Sequence, residues 1–262
     1  MVKRSSWFLI LSSLFLTITL VSCATTPNPE DIAKRQKQAE AFRNLGESFM
    51  ADDKYTRALR EFLKAEELYG EDHILQNDLG LVYAAIDQPD LSLVHYRKAV
   101  DIKPNYSVAW NNMGVVYLSL EKWDEAIECF NSALENLLYA TPYYALNNLG
   151  EAYRGKKDYG RAVDLYNEAI ISEPRFYRAY RGLGLSYVAL GDYDTAAKSL
   201  EKAVEKAPDF TAAYYDLGRV YVFQYEKKKA LAAFKKVTEL APDSELADMA
   251  SNEIKKLEFM KQ

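Results

Sequence analysis

Residues 177–210 read Tyr-Arg-Ala-Tyr-Arg-Gly-Leu-Gly-Leu-Ser-Tyr-Val-Ala-Leu-Gly-Asp-Tyr-Asp-Thr-Ala-Ala-Lys-Ser-Leu-Glu-Lys-Ala-Val-Glu-Lys-Ala-Pro-Asp-Phe. Around Gly184 stand Leu183 before it, Tyr187 three residues after, Ala196 twelve after, Leu200 sixteen after and Pro208 at the close. The same set recurs outward in both directions. Glycines fall at 46, 80, 114, 150, 184 and 218, with gaps of 34, 34, 36, 34 and 34. Before them come Leu45, Leu79, Met113, Leu149, Leu183 and Leu217. Three after come Phe49, Tyr83, Tyr117, Tyr153, Tyr187 and Tyr221. Twelve after come Ala58, Ser92, Ala126, Ala162, Ala196 and Ala230; sixteen after come Phe62, Tyr96, Phe130, Tyr166, Leu200 and Phe234. Proline closes four copies, at 104, 174, 208 and 242.

A period of 34 with this set resembles the tetratricopeptide repeat. The reading is an all-α, right-handed superhelical solenoid of six helix pairs, at 39–72, 73–106, 107–142, 143–176, 177–210 and 211–244. The glycine and the small residue mark a close crossing of helix A and helix B. The aromatic and the bulky residue are expected to fill the gap to the next repeat. Proline stops helix B, because it has no amide proton and clashes with the preceding turn. One pair cannot bury its apolar face alone, so neighbours must stack. Residues 245–262 read as a capping helix, with Leu246, Met249, Ile254 and Leu257 toward the last repeat.

Ahead of the repeats the chain changes character. Lys3 and Arg4 precede an apolar and hydroxyl run from Trp7 to Val21, too short for an ordinary spanning helix. It ends Leu20-Val21-Ser22-Cys23-Ala24, which resembles the lipobox of bacterial lipoproteins. The resemblance implies a signal peptide at 1–22, cleavage after Ser22, and diacylglyceryl and acyl (palmitate-type) chains on Cys23. In diderm bacteria it also implies the periplasmic face of the outer membrane, since Ala24 stands where an inner-membrane retention Asp would be. Two or more acyl chains make a stable anchor. Residues 23–38 are then a lipidated tether, kept non-helical at its start by Pro27 and Pro29, with helix possible from Asp31. Cleavage removes two positive charges, taking the net charge from −5 to −7. Cys129 is left without an intrachain partner and is expected as a buried helical thiol.

Helix A lines the concave face of such a solenoid, and its positions 2, 5, 9 and 12 point into the groove. In repeats two and three these include Ile74, Asn77, Leu81, Val108, Asn111, Val115 and Leu118, an apolar floor with an amide stripe. In repeats four to six they include Tyr144, Asn147, Arg154, Arg178, Arg181, Tyr215 and Arg219, aromatic and basic. The groove reads as a docking surface for a protein segment: apolar side chains in the first half, carboxylates on the arginines in the second. Asn77, Asn111 and Asn147 repeat at one position and Asn44, Asn112 and Asn148 at the next. Such a ladder could hold a peptide backbone, or serve the helices themselves. The Lys/Asn carboxylate clamp of chaperone-binding repeats is not expected, because Glu47 follows Arg43 by one turn.

Composition narrows the function. A net charge of −5 argues against nucleic acid. Two cysteines and two histidines, His73 and His95, offer no metal site of the usual spacing. There is no Gly-rich phosphate loop and no nucleophile elbow. The expectation is a protein-binding adaptor, not an enzyme, with no cofactor, metal or small-molecule substrate.

The third repeat is two residues longer than the others. It runs from Phe130 through Leu137-Leu138-Tyr139-Ala140-Thr141-Pro142 to Asn147-Asn148-Leu149-Gly150. Together with the lipobox, the short tether, six repeats and a terminal helix, this resembles the type IV pilus pilotin family, tetratricopeptide outer-membrane lipoproteins. It departs at Tyr153, where some members carry Cys. The resemblance implies a role in localising and multimerising the pilus secretin. A scaffold recruiting peptidoglycan hydrolases or polysaccharide-export components is the alternative.

Overall fold

A computed structural model describes residues 28–259 of the chain. The signal peptide, Cys23 and the first residues of the tether lie outside the described residues. Within them the chain forms thirteen helices: α1 (Pro29–Ala51), α2 (Tyr55–Leu68), α3 (His73–Ala85), α4 (Pro89–Ile102), α5 (Ser107–Ser119), α6 (Trp123–Leu134), α7 (Pro142–Gly155), α8 (Tyr159–Ser172), α9 (Tyr177–Leu190), α10 (Tyr193–Lys206), α11 (Thr211–Phe223), α12 (Lys227–Leu240) and α13 (Glu245–Phe259). Odd helices are the A members of the pairs and even helices the B members. Each helix packs on the next in sequence. The backbones of successive A helices also approach one another, whereas those of successive B helices stay farther apart and meet only through side chains such as Lys98 and Glu66. The stack therefore curves with its A helices on the inside, an all-α solenoid with the A faces concave.

The helix ends follow local chemistry. Asp72, Asp158 and Asp192 cap α3, α8 and α10 by accepting backbone N–H groups through their side chains. Pro104, Pro174, Pro208 and Pro242 each stand two residues past the end of a B helix. Pro29 does not delay α1. It occupies the first helical position, where a missing N–H is harmless, and Asn28 Oδ1 accepts from the Glu30 N–H at 3.2 Å. The expected tether is thus helical from 29 onward.

The core is a line of linked clusters, one at each crossing. The residue sixteen after each glycine is fully buried and clusters with the next repeat as expected, Phe62 with Leu75 and Leu79, Tyr96 with Ala109 and Met113, Phe130 with Leu149 and Ala152. Where it is a ring, it also lies on the glycine of its own repeat. A Cβ at Gly46, Gly80, Gly114 or Gly218 would stand 2.4 to 2.7 Å from the ring of Phe62, Tyr96, Phe130 or Phe234. The aromatic three after the glycine takes part in the same inter-repeat packing: Tyr117, Tyr153 and Tyr187 each border two clusters. The residue before each glycine is buried against the preceding repeat in five copies. In the first copy Leu45 is exposed, since among the described residues no helix pair precedes it. α13 closes the other end through Ala247, Ala250 and Leu257, with Leu246 and Ile254 half-buried. Met249 faces solvent, contrary to expectation; the small residues of α13 take the crossing and turn Met249 away.

Candidate functional site

The concave wall carries a ladder of polar rungs that the helices build between themselves. The residue three before a repeat's glycine meets the residue two before the next one. Asn112 Nδ2 donates to Asn77 Oδ1 at 3.0 Å, and Asn148 Nδ2 donates to Asn111 Oδ1 at 3.1 Å. At the last junction Arg181 Nε donates to Asp216 Oδ2 at 2.6 Å. Asn77 and Asn147 also donate within their own helices, to Asp78 Oδ1 at 3.4 Å and Asn148 Oδ1 at 3.2 Å, so the ladder serves the helices both across and within repeats. At the first junction Arg43 faces Asp72 at 2.8 Å and lies 3.3 Å from Glu47, so its charge is already engaged.

One junction lacks the side chain for a rung altogether. Opposite Asn147 stands Gly182, and the Tyr166 ring takes the space: a Cβ on Gly182 would lie 2.3 Å from Tyr166 Cε1. Tyr166 donates its hydroxyl to Glu151 Oε2 at 3.0 Å, and Glu151 also pairs with Arg154. Burial and the Glu151 carboxylate push the Tyr166 hydroxyl well above its ordinary range, so it stays a donor. Beside the gap opens a cavity of about 280 Å³ lined by Asn147, Glu151, Arg178, Arg181, Gly182, Leu185 and Phe210. A second, of about 470 Å³, lies against Tyr143, Tyr144, Glu173, Phe176, Tyr177 and the arginines 175 and 178. Tyr143, Tyr144 and Phe176 pack with centroids 4.6 to 5.2 Å apart, and Tyr177 meets Phe210 edge-on at 4.8 Å.

The predicted groove residues now sort themselves. Val108 and Val115 are 40% and 43% exposed and lead the apolar half; Ile74, Leu81 and Leu118 are half-buried beside them. Asn77 is buried in the ladder. In the basic half, Arg154 and Arg181 are tied to Glu151 and Asp216. Arg178 is exposed between the two cavities, its guanidinium 5.9 Å from the Tyr177 ring. Arg219 is also exposed, and Tyr144 more so than the half-buried Tyr215. Sequence reading missed Phe176 and Phe210, which line the cavities from the linkers just before α9 and α11. It also missed Gly182, whose signal was legible: it is the one glycine at a position otherwise held by Asn or Asp.

Two further carboxylates of the ladder are strained electrically. Asp78 is buried and its Oδ2 has no hydrogen-bond partner. Burial, then the Glu47 charge, push its carboxyl from the ordinary 3.8 to about 7. Burial also raises Asp216, although Arg181 and Arg219 pull the other way.

Family models for the tetratricopeptide repeat match residues 36–107, 105–170 and 187–253. The chain is a tetratricopeptide repeat protein. No curated protein sequence matches it. Among solved structures it is similar to PilF of Pseudomonas aeruginosa, with 17% identity and a TM-score of 0.72 over 84% of this chain and 99% of that one. It is similar to PilW, described as a widely conserved type IV pilus biogenesis factor, with 19% identity and a TM-score of 0.75 over 81% and 98%. It is also similar to YrrB, described as having an unusual peptide-binding site, with 24% identity and a TM-score of 0.53 over 73% and 97%. Folds of this kind typically serve as scaffolds for protein interaction and not as enzymes. At these identities the tetratricopeptide protein shares their architecture, and its specificity lies in its own side chains.

Proposed function

We propose that this tetratricopeptide protein is a lipid-anchored adaptor of the pilotin kind. Cys23 would hold it at the outer membrane, and its concave wall would grip a subunit of the type IV pilus secretin. The observation that carries the adaptor reading is the open junction at Gly182. There the internal ladder lapses, two cavities adjoin, and Arg178, which lines both, makes no ion pair within 4 Å with Glu151 or Glu173 across them. A guanidinium flanked by aromatic rings suits a segment that brings a carboxylate next to an apolar side chain. The exposed valines 108 and 115 offer an apolar continuation of that track. The pilus assignment draws support from the likeness, over nearly their whole length, to PilF and PilW, and from the lipobox read in the sequence. Mechanistically, collecting subunits on one membrane raises their effective concentration and so favours ring assembly.

The test is a deletion strain complemented with three forms. The native chain should restore heat-resistant secretin multimers. Cys23→Ser should leave monomers, and so should Val115→Asp combined with Arg178→Glu, with its helical circular dichroism unchanged. Normal multimers in the deletion strain itself end the proposal.

A further inference from the structure

The two extra residues of the third repeat fall in the loop between α6 and α7. At its tip Leu137 and Leu138 are 97% and 90% exposed. The turn that carries them is built. The Leu138 N–H donates to Asn136 Oδ1 at 3.0 Å, and the Tyr139 N–H donates to the Asn136 carbonyl at 2.9 Å. Asn136 Nδ2 crosses to the Asn105 carbonyl of the preceding inter-repeat loop at 3.1 Å. Three hydrogen bonds thus hold out two leucines that the core does not use. Ile171, in the last turn of α8 at the same edge, is also exposed. Adjacent, fully exposed leucines on an ordered insertion point to a surface that covers them from outside the chain.

We propose that the Leu137-Leu138 tip dips into the lipid bilayer that carries the chain. This rests on the Cys23 anchoring reading. A protruding turn has no walls to enclose a peptide, whereas a planar apolar phase meets it directly. The start of the chain lies on the same edge. Every A helix begins, and every B helix ends, on the side of the solenoid that carries the 135–141 loop. Arg35 of α1 donates to the Glu67 carbonyl at 3.2 Å, so α1 passes the end of α2 there. From Arg35 to Pro29 is about 9 Å of helix, at 1.5 Å per residue. From Asn28 back to Cys23 the chain reaches at most about 17 Å. An acylated Cys23 therefore enters the membrane from the edge that bears the leucines. Two leucines alone hold a protein weakly, but a second contact on an anchored chain acts at high effective concentration. Two contacts would fix the roll of the solenoid and hence the direction in which its groove faces.

The experiment uses the full lipidated chain in liposomes of phosphatidylethanolamine and phosphatidylglycerol. Leu138→Cys carries an environment-sensitive fluorophore. Cys129 is buried, and burial raises its thiol to about 12, so it stays unlabelled. Mass spectrometry first establishes the acyl chains on Cys23. The label should then shift to the blue and brighten about twofold against the free aqueous form, as expected for entry into the acyl boundary. Lipid-borne quenchers should quench it, and Leu137→Asp should return it to the aqueous value. A label at Asp90→Cys, on the opposite edge, should stay aqueous throughout. An aqueous signal at 138 with Cys23 acylated overturns the insertion and leaves the anchor standing, as does protection that arrives only with added envelope protein. Absence of acyl chains on Cys23 overturns both.

Discussion

Gly114 and Gly150 occupy one position of the repeat but differ in how closely a ring is pressed on them. A methyl at Gly114 would stand 2.5 Å from Phe130 Cε1, and at Gly150 3.0 Å from Tyr166 Cε1. Alanine gains about 1 kcal/mol of helix propensity at either. Overpacking a buried ring costs about 1–3 kcal/mol. Gly114→Ala should therefore lose up to about 2 kcal/mol net, and Gly150→Ala should lie closer to neutral. Urea unfolding of the two variants measures the difference, and equal midpoints would contradict the packing argument. Asp78 makes a second case. Folded, its carboxyl holds a proton to about pH 7; unfolded, it releases one near 3.8. Its contribution is fullest below the lower value and is lost as pH rises through the upper one. Asp78→Asn, the residue that three other repeats carry at that position, should raise Tm clearly at pH 8 and little at pH 4. The glycine pattern was plain in the sequence. The cost of Asp78 was not, because it comes from Glu47 on the preceding repeat and from burial.

Between the A and B helices of each repeat the turn has a constant form. The residue seven after each repeat glycine takes a left-handed backbone: Asp53, Asp87, Glu121, Lys157, Gly191 and Tyr225, with φ from 56° to 80°. Only Gly191 is free of the Cβ clash that this region imposes. Tyr225 is the bulkiest of the six and 94% exposed, so nothing packs to repay the strain. Tyr225→Asn should stabilise the chain by about 0.5–1 kcal/mol, since Asn tolerates this conformation better than Tyr. Thermal melts decide it; a lower Tm would mean that the tyrosine makes a contact that stabilises the turn. One glycine among six positions could not reveal the shared backbone. The helix boundary forces it, because the chain must reverse within four residues at every A–B turn.

A stack in which each pair touches only its neighbours should open from its ends. α13 seals the cluster built on Phe234 and Val237. A chain ending at Ser244 should therefore lose amide protection first in α11 and α12, while α5 to α8 exchange nearly as in the full chain. Uniform loss across all helices, read by hydrogen exchange with mass spectrometry, would refute this nearest-neighbour picture. The same linear build explains the groove. The apolar half was read from positions facing one way along α3 and α5, where Val108 and Val115 are exposed. In the basic half four arginines looked alike. The structure separates them, because two find carboxylates, at Glu151 and Asp216, and two do not.

The six matched sets at constant spacing were enough to determine an all-α solenoid, for a simple reason. Glycine, alanine and ring positions encode crossings between helices that follow one another in sequence. Which polar groups remain for a partner was decided by tertiary structure alone. Rungs such as Asn112 to Asn77 and Arg181 to Asp216 join residues some 35 apart. Whether a side chain is consumed or left open depends on what the next repeat places opposite it. At Gly182 the next repeat places nothing, and the groove opens there.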